Sequence, residues 1–99
     1  MSKSSTIIEG RTDMAVAVHP GRILGREIEA RSLSIREFAG AVGTTPAKIS
    51  AVVGCKRGIN AGLAIRLGRY FGNAPMFWMN LQSLYELALA EKQGEKRAA

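Results

Sequence analysis

The sequence predicts an all-α domain of five helices with a helix-turn-helix at its centre and a flexible N-terminal arm in front. Three observations predict it. From Pro20 to about Ala90 the apolar residues recur at a helical period. Ser34, Thr45-Pro46, Asn60 and Pro75 have the chemistry of helix starts, and Gly43 and Gly72 that of helix stops. No region alternates as a strand-rich sheet would. At 99 residues the chain has room for one core, and its 46% hydrophobic content is enough to order most of it.

Three segments follow. Residues 1–18 read as the arm, 19–90 as the helix-turn-helix domain and 91–99 as a charged, frayed tail. Within the arm, residues 1 to about 13 are polar and patternless. "MAVAVHP" (Met14 to Pro20) is apolar enough for a short strand or a packed extended segment, which would need the core or a second chain to be stable. "IEGR" (Ile8 to Arg11) matches a protease site used in expression vectors, which leaves Met14 open as the native start.

Each helix has its own local signals. The first helix runs about Gly21 to Arg31, with Ile23, Leu24 and Ile28 on one face and Arg22, Arg26 and Arg31 elsewhere. The second starts at a capping box, Ser34 with Glu37 three residues on. Its buried stripe is Ile35, Phe38, Ala39 and Val42, and Gly43 stops it. Thr45 caps the third, with Pro46 at the first helical position, where a missing N–H costs nothing. Ile49, Val52 and Val53 face inward. Asn60 caps the fourth helix, whose apolar face is Leu63, Ala64, Leu67, Tyr70 and Phe71, and Gly72 ends it. Pro75 opens the fifth, expected to run to about Ala90. Gly40 and Gly68 lie inside helices, where close packing is the simplest reason for them.

Charge directs attention to the middle of the chain. Lys and Arg number 14 against 8 Asp and Glu, a net +6, with a pI near 10.1. Between Ser34 and Tyr70 six cations (Arg36, Lys48, Lys56, Arg57, Arg66, Arg69) face Glu37 alone, so +5 of the +6 is concentrated there. A polyanion partner suits that balance. A capped helix, a Gly-Thr-Thr turn and a second helix with an inward Ile form a helix-turn-helix, and Ala39 is small enough to let the two helices approach. The outward face of the third helix is Ala47, Lys48, Ser50 and Ala51.

Direct readout of bases relies on long donors such as Arg, Lys, Asn or Gln. Here Lys48 is the only one, with Ser50 as a short one. Ala47 and Ala51, beside Pro46, offer only apolar contact, most usefully to thymine methyls. Arg36, Thr44, Thr45, Lys56 and Arg57 suit phosphates, which position a protein without reading sequence. Modest specificity per monomer, strong salt dependence and discrimination through paired half-sites are therefore expected.

"VGTTPAKIS" with its flanking helices resembles the phage repressor and Cro class of helix-turn-helix proteins. "HPGRIL" (His19 to Leu24), "KRGI" (Lys56 to Ile59), "AIRLGRYFG" (Ala64 to Gly72) and "PMFWMNLQSLYEL" (Pro75 to Leu87) together resemble the HigA-type antitoxins of bacterial toxin–antitoxin modules. The likeness covers about residues 19–90, and its Tyr-Phe-Gly, Phe-Trp and Asn-Leu-Gln signatures are the most specific part. The resemblance implies a phage-repressor-like fold and a homodimer with two tasks. One is to bind and silence a cognate toxin, usually a ribonuclease that cleaves ribosome-associated mRNA. The other is to bind double-stranded operator DNA and repress its own operon. Neither task is catalysis, and no cofactor is implied.

The sequence departs from that pattern after the third helix, where the family usually has a Gly that ends the helix in a left-handed conformation. Here the pair is Gly54-Cys55. Either the helix ends one residue early on Gly54 or Cys55 takes a positive φ. The fifth helix also lacks a hydroxyl cap, because Ala74 precedes Pro75.

The fifth helix carries more apolar residues than one core stripe needs. Phe77, Leu81, Leu84 and Ala88 lie along one line, with Trp78, Tyr85 and Leu89 beside it and Met76 and Leu87 on the other flank. Met76, Trp78, Leu84 and Leu87 are the candidates for a homodimer interface. His19 has no second His, Cys55 has no His-based dyad in reach, and Arg66 and Arg69 read as a solvated face. These residues support no catalytic centre and no metal site. A single cysteine, no apolar run long enough for a membrane span and no secretory signal point to a cytoplasmic protein. Two other readings stay open: a helix-turn-helix repressor with no toxin partner, and a protein-interaction module that no longer reads DNA.

Overall fold

The computed structural model describes residues 18–98, with side chains through residue 94. Almost all of the expected arm and the "IEGR" segment lie outside the described residues. Five helices follow in order: α1 (Pro20–Ala30), α2 (Ile35–Val42), α3 (Pro46–Val53), α4 (Ala61–Phe71) and α5 (Pro75–Ala98). No strand occurs among the described residues.

Local capping sets the starts. Ser34 Oγ accepts from Glu37 N–H at 3.0 Å while Glu37 Oε1 accepts from Ser34 N–H at 2.9 Å, completing the capping box of α2. Thr45 Oγ1 accepts from Lys48 N–H at 3.3 Å, and Asn60 Oδ1 accepts from Leu63 N–H at 2.9 Å. The cap of α1 is one the sequence reading missed. His19 Nδ1 accepts from Gly21 N–H at 2.8 Å, with Pro20 at the first helical position. The imidazole is buried and packs edge-on to Tyr85 of α5, with ring centroids 4.8 Å apart. His19 is thus a structural cap.

The core joins all five helices. Leu24 and Ile28 of α1, Phe38, Ala39 and Val42 of α2, Ile49 and Val52 of α3, Ala64 and Leu67 of α4 and Trp78 of α5 form one buried cluster with Ile59. The α1–α3 approach demands a bare backbone, since a Cβ on Gly21 would lie 1.7 Å from the Val52 carbonyl oxygen. Gly68 is similar, with the Asn73 carbonyl 2.6 Å from where its Cβ would be, so close packing explains it. Close packing does not explain Gly40, which has nothing within 4 Å, and nothing in the structure accounts for it.

One boundary differs from expectation. α5 continues through Ala98 rather than stopping near Ala90. "EKQGEKR" loses the apolar period, yet apart from Gly94 it consists of strong helix formers and contains no Pro. Loss of amphipathic pattern ends core contact and leaves helix propensity intact.

After α3 the second of the two alternatives holds. Gly54 stays at φ −81° and Cys55 takes φ +62°. Lys56 N–H then reaches back to Ala51 O at 2.9 Å and Cys55 N–H to Val52 O at 3.0 Å. A non-glycine residue in this region carries a steric cost of roughly 1–2 kcal/mol.

Two outcomes are expected. Burial lowers the His19 pKa below its usual 6.5. The unfolded chain therefore binds this proton at higher pH than the folded one. The stabilising contribution is complete above about pH 6.5 and is lost as pH falls through the lowered native value. Denaturant unfolding at pH 7.5 and 5.5 should show a larger loss for the wild type than for His19→Asn, which caps without titrating; equal losses would contradict the cap. Cys55→Gly should raise stability by about 0.5–1 kcal/mol after the added chain entropy is subtracted. That is a rise in Tm of roughly 2–8 °C, measurable by circular dichroism.

Candidate nucleic-acid interface

The turn between α2 and α3 is fixed from both sides. Gly43 sits at φ +81°, its N–H donating to Ala39 O at 3.0 Å, and Thr44 N–H closes on the same carbonyl at 2.9 Å. Ala39 is fully buried at this corner, as its small size implied.

Arg66 is the third participant, and the sequence reading misplaced it. Its Nη1 donates to Val42 O at 3.3 Å, so a cation from α4 holds the C-terminus of α2, where the helix dipole favours positive charge. A Cβ at position 43 would come within 2.7 Å of that nitrogen, a second reason for glycine there. Arg66 is a clamp on the helix-turn-helix rather than part of a freely solvated face.

α3 presents Pro46, Ala47, Lys48 and Ser50 to solvent, with Ala51 half-buried behind them. At its N-terminal end Thr45 is exposed and Thr44 half-buried. Thr45 Oγ1 accepts the capping bond and keeps its O–H free to donate.

Beside this face opens a cleft of ≈ 200 Å³ lined by Thr44, Lys48, Arg57, Asn60 and Arg66, among others. Three cations line it and no carboxylate does. Asn60 uses its Oδ1 on Leu63 N–H, which leaves both N–H groups of its amide free to donate to a ligand.

The fold thus brings three predicted residues, Thr44, Lys48 and Arg57, to one cleft. Arg36 and Lys56 are exposed but do not line it. Asn60 and Arg66 were missed as members of the cleft. Asn60 carried a signal, since a helix-capping residue next to a basic loop stands at a helix N-terminus, a place suited to anions. Arg66 carried none, because its partner Val42 is 24 residues away in sequence.

The expected dimer face needs one correction. Trp78 is only 1% exposed, its ring lies 5.6 Å from Phe71, and its Nε1 donates to Asn73 Oδ1 at 3.1 Å. It fills the core and has no surface to offer a second chain. The buried side of α5 centres on Trp78 and Gln82, one residue round from the line drawn through Phe77 and Leu81. Met76 (59% exposed), Phe77, Leu84 and Leu87 (58%) remain on the outer side. At 100° per residue these four fall within one stripe of roughly 100°.

Among the described residues, no helix is long and apolar enough to cross a membrane.

No family model matches the chain. It is 40% identical over 88 residues to virulence-associated protein I of Dichelobacter nodosus, a match covering 88% of this chain and 81% of that protein. Antitoxin HigA of Pseudomonas aeruginosa, solved with the higBA promoter, is 41% identical with a TM-score of 0.78, over 83% of this chain and 90% of that one. An addiction module antidote protein of the HigA family from Coxiella burnetii is 33% identical with a TM-score of 0.77, over 82% and 89% of the two chains. With the helix-turn-helix and five-helix core shared at this level of identity, the chain belongs to the HigA family of antitoxins, which are helix-turn-helix transcription regulators and not enzymes.

Proposed function

We propose that this protein binds operator DNA upstream of its own gene as a homodimer, represses that promoter, and neutralises a cognate toxin, an mRNA-cleaving ribonuclease, in the cytoplasm. The observation that carries the DNA reading is the solvent-facing α3 with Thr44, Lys48 and Arg57 around one acid-free cationic cleft. The 41% identical antitoxin solved with promoter DNA supports it. The toxin partner rests on family membership.

Each residue has a definite task in this reading. α3 enters the major groove and Lys48 donates to base edges, assisted by Ser50, while Ala47 and Ala51 touch thymine methyls. Thr44, Thr45, Arg36, Lys56 and Arg57 hold phosphates on either side, and Pro46 sets the angle at which α3 begins. One long donor per monomer is a small reading head. Discrimination therefore depends on two half-sites spaced by the dimer. Met76, Phe77, Leu84 and Leu87 share one exposed side of α5, around Asn80, and suit the second copy because several large apolar side chains left in water on one face mark an interaction surface.

Fluorescence anisotropy against DNA from upstream of the gene and a scrambled control, at two salt concentrations, tests the DNA reading. Tighter binding to the native sequence at the higher salt is expected. Equal binding to both that collapses with salt would refute operator recognition. Lys48→Ala should lower the ratio of specific to scrambled affinity by about tenfold, a loss toward the lower end of the roughly 1–3 kcal/mol of a base contact. Arg57→Ala should weaken both alike and reduce the salt slope by about 0.9 for each phosphate it no longer neutralises. Leu84→Glu with Leu87→Glu should shift sedimentation from dimer to monomer; an unchanged dimer would place the interface elsewhere.

A further inference from the structure

We infer that Gln82 is a positioning residue for the DNA-contacting loop, latching residues 56–60 to α5 so that Arg57 faces the cleft; the inference rests on reading that cleft as the DNA site. Gln82 is 8% exposed, on the core side of α5 where an apolar residue would be the ordinary choice. Its Oε1 accepts from Ile59 N–H at 2.8 Å, across 23 residues of sequence. Its Nε2 donates to Glu86 Oε2 at 2.8 Å. The backbone N–H requires an acceptor and the carboxylate requires a donor, so the two partners define the amide's orientation.

The loop is shaped around this amide. A Cβ on Gly58 would lie 2.7 Å from Nε2 and 2.8 Å from both Cδ and Oε1 of Gln82, so the side chain lies directly against the Gly58 backbone. Lys56 N–H closes α3 and Asn60 begins α4. Between these anchored ends, Ile59 N–H ties the loop to the body of the domain, and its side chain is buried in the core. Arg57 lies two residues before that tie. Without the acceptor at position 82, Ile59 N–H would be buried and unpaired, and the loop would have to move to rehydrate it. The phosphate contact assigned to Arg57 would move with it.

The test uses the full chain and DNA anisotropy across a series of salt concentrations. Gln82→Met removes the acceptor at similar volume and equal charge. It should weaken operator and scrambled DNA alike by about tenfold, with the salt slope reduced by about 0.9 for each phosphate no longer neutralised. The preference set by Lys48 should persist. Gln82→Glu keeps an acceptor for Ile59 N–H but replaces the donor facing Glu86 with a second carboxylate, and the repulsion should pull the side chain off the loop and weaken binding in the same direction, less than Gln82→Met does. Adding Glu86→Gln restores a donor opposite the new acceptor at the wild-type net charge, and should recover affinity, slope and the slow hydrogen exchange of the Ile59 amide.

A merely structural role would lower Tm without altering the salt slope. A Gln82→Met protein with wild-type affinity and slope would overturn the inference, as would a double variant that recovers Ile59 protection and not DNA affinity. Wild-type protein that binds neither DNA would overturn the reading of the cleft itself, a distinct outcome.

Discussion

The line of rings formed by Phe38, Phe71 and Trp78 is the contact on which the placement of the helix-turn-helix depends. Phe38 of α2 and Phe71 of α4 lie 5.8 Å apart, and Phe71 and Trp78 of α5 are 5.6 Å apart. Tyr70 closes edge-on against both phenylalanines, and the Arg31 guanidinium covers the Phe71 ring at 4.7 Å while pairing with Glu27. Large rings bury the most apolar area per residue and adopt few relative orientations. Three of them in series therefore hold α2 at a defined angle to α4 and α5. α3 follows because a tight turn joins it to α2 and Gly21 lets α1 close upon Val52.

On that apolar frame, polar side chains complete backbone groups that no helix supplies for itself. His19 satisfies the first turn of α1, Arg66 the last carbonyl of α2, and Gln82 the Ile59 amide in the loop after α3. Arg66 and Gln82 come from outside the helix-turn-helix and act on its central turn and on the loop that follows it. The helix-turn-helix is thereby held from α4 and α5. α3 has only eight residues, too few to hold its conformation by propensity alone.

The composition of α3 decides what kind of regulator this fold makes. On the proposed reading, cations around the cleft would draw in any duplex, whereas Lys48 would supply nearly all the hydrogen-bonding specificity on the exposed face. Affinity and discrimination are thus separated among different residues. The apolar stripe of α5 lies outside the cleft, and the two half-site contacts of a dimer would multiply a preference that one copy expresses weakly.

The starts of α2, α3 and α4, the stops of α2 and α4 and most of the outward face of α3 were readable from the sequence, since capping acts within three or four residues and the periodicity of one helix reveals its own faces. The capping box at Ser34, the caps at Thr45 and Asn60, and the left-handed Gly43 and Gly72 stand where local chemistry placed them. Local chemistry also reduced the Gly54-Cys55 junction to two alternatives but did not choose between them. What lay beyond it depends on neighbours outside the residue's own helix. Trp78 turned inward because Phe71 and Asn73 were there to receive its ring and its N–H. Arg66 and Gln82 gained their roles from backbone groups 24 and 23 residues away. A cap needs only the chain's next turn, whereas a clamp needs a second helix already in place, so only the tertiary structure could assign it.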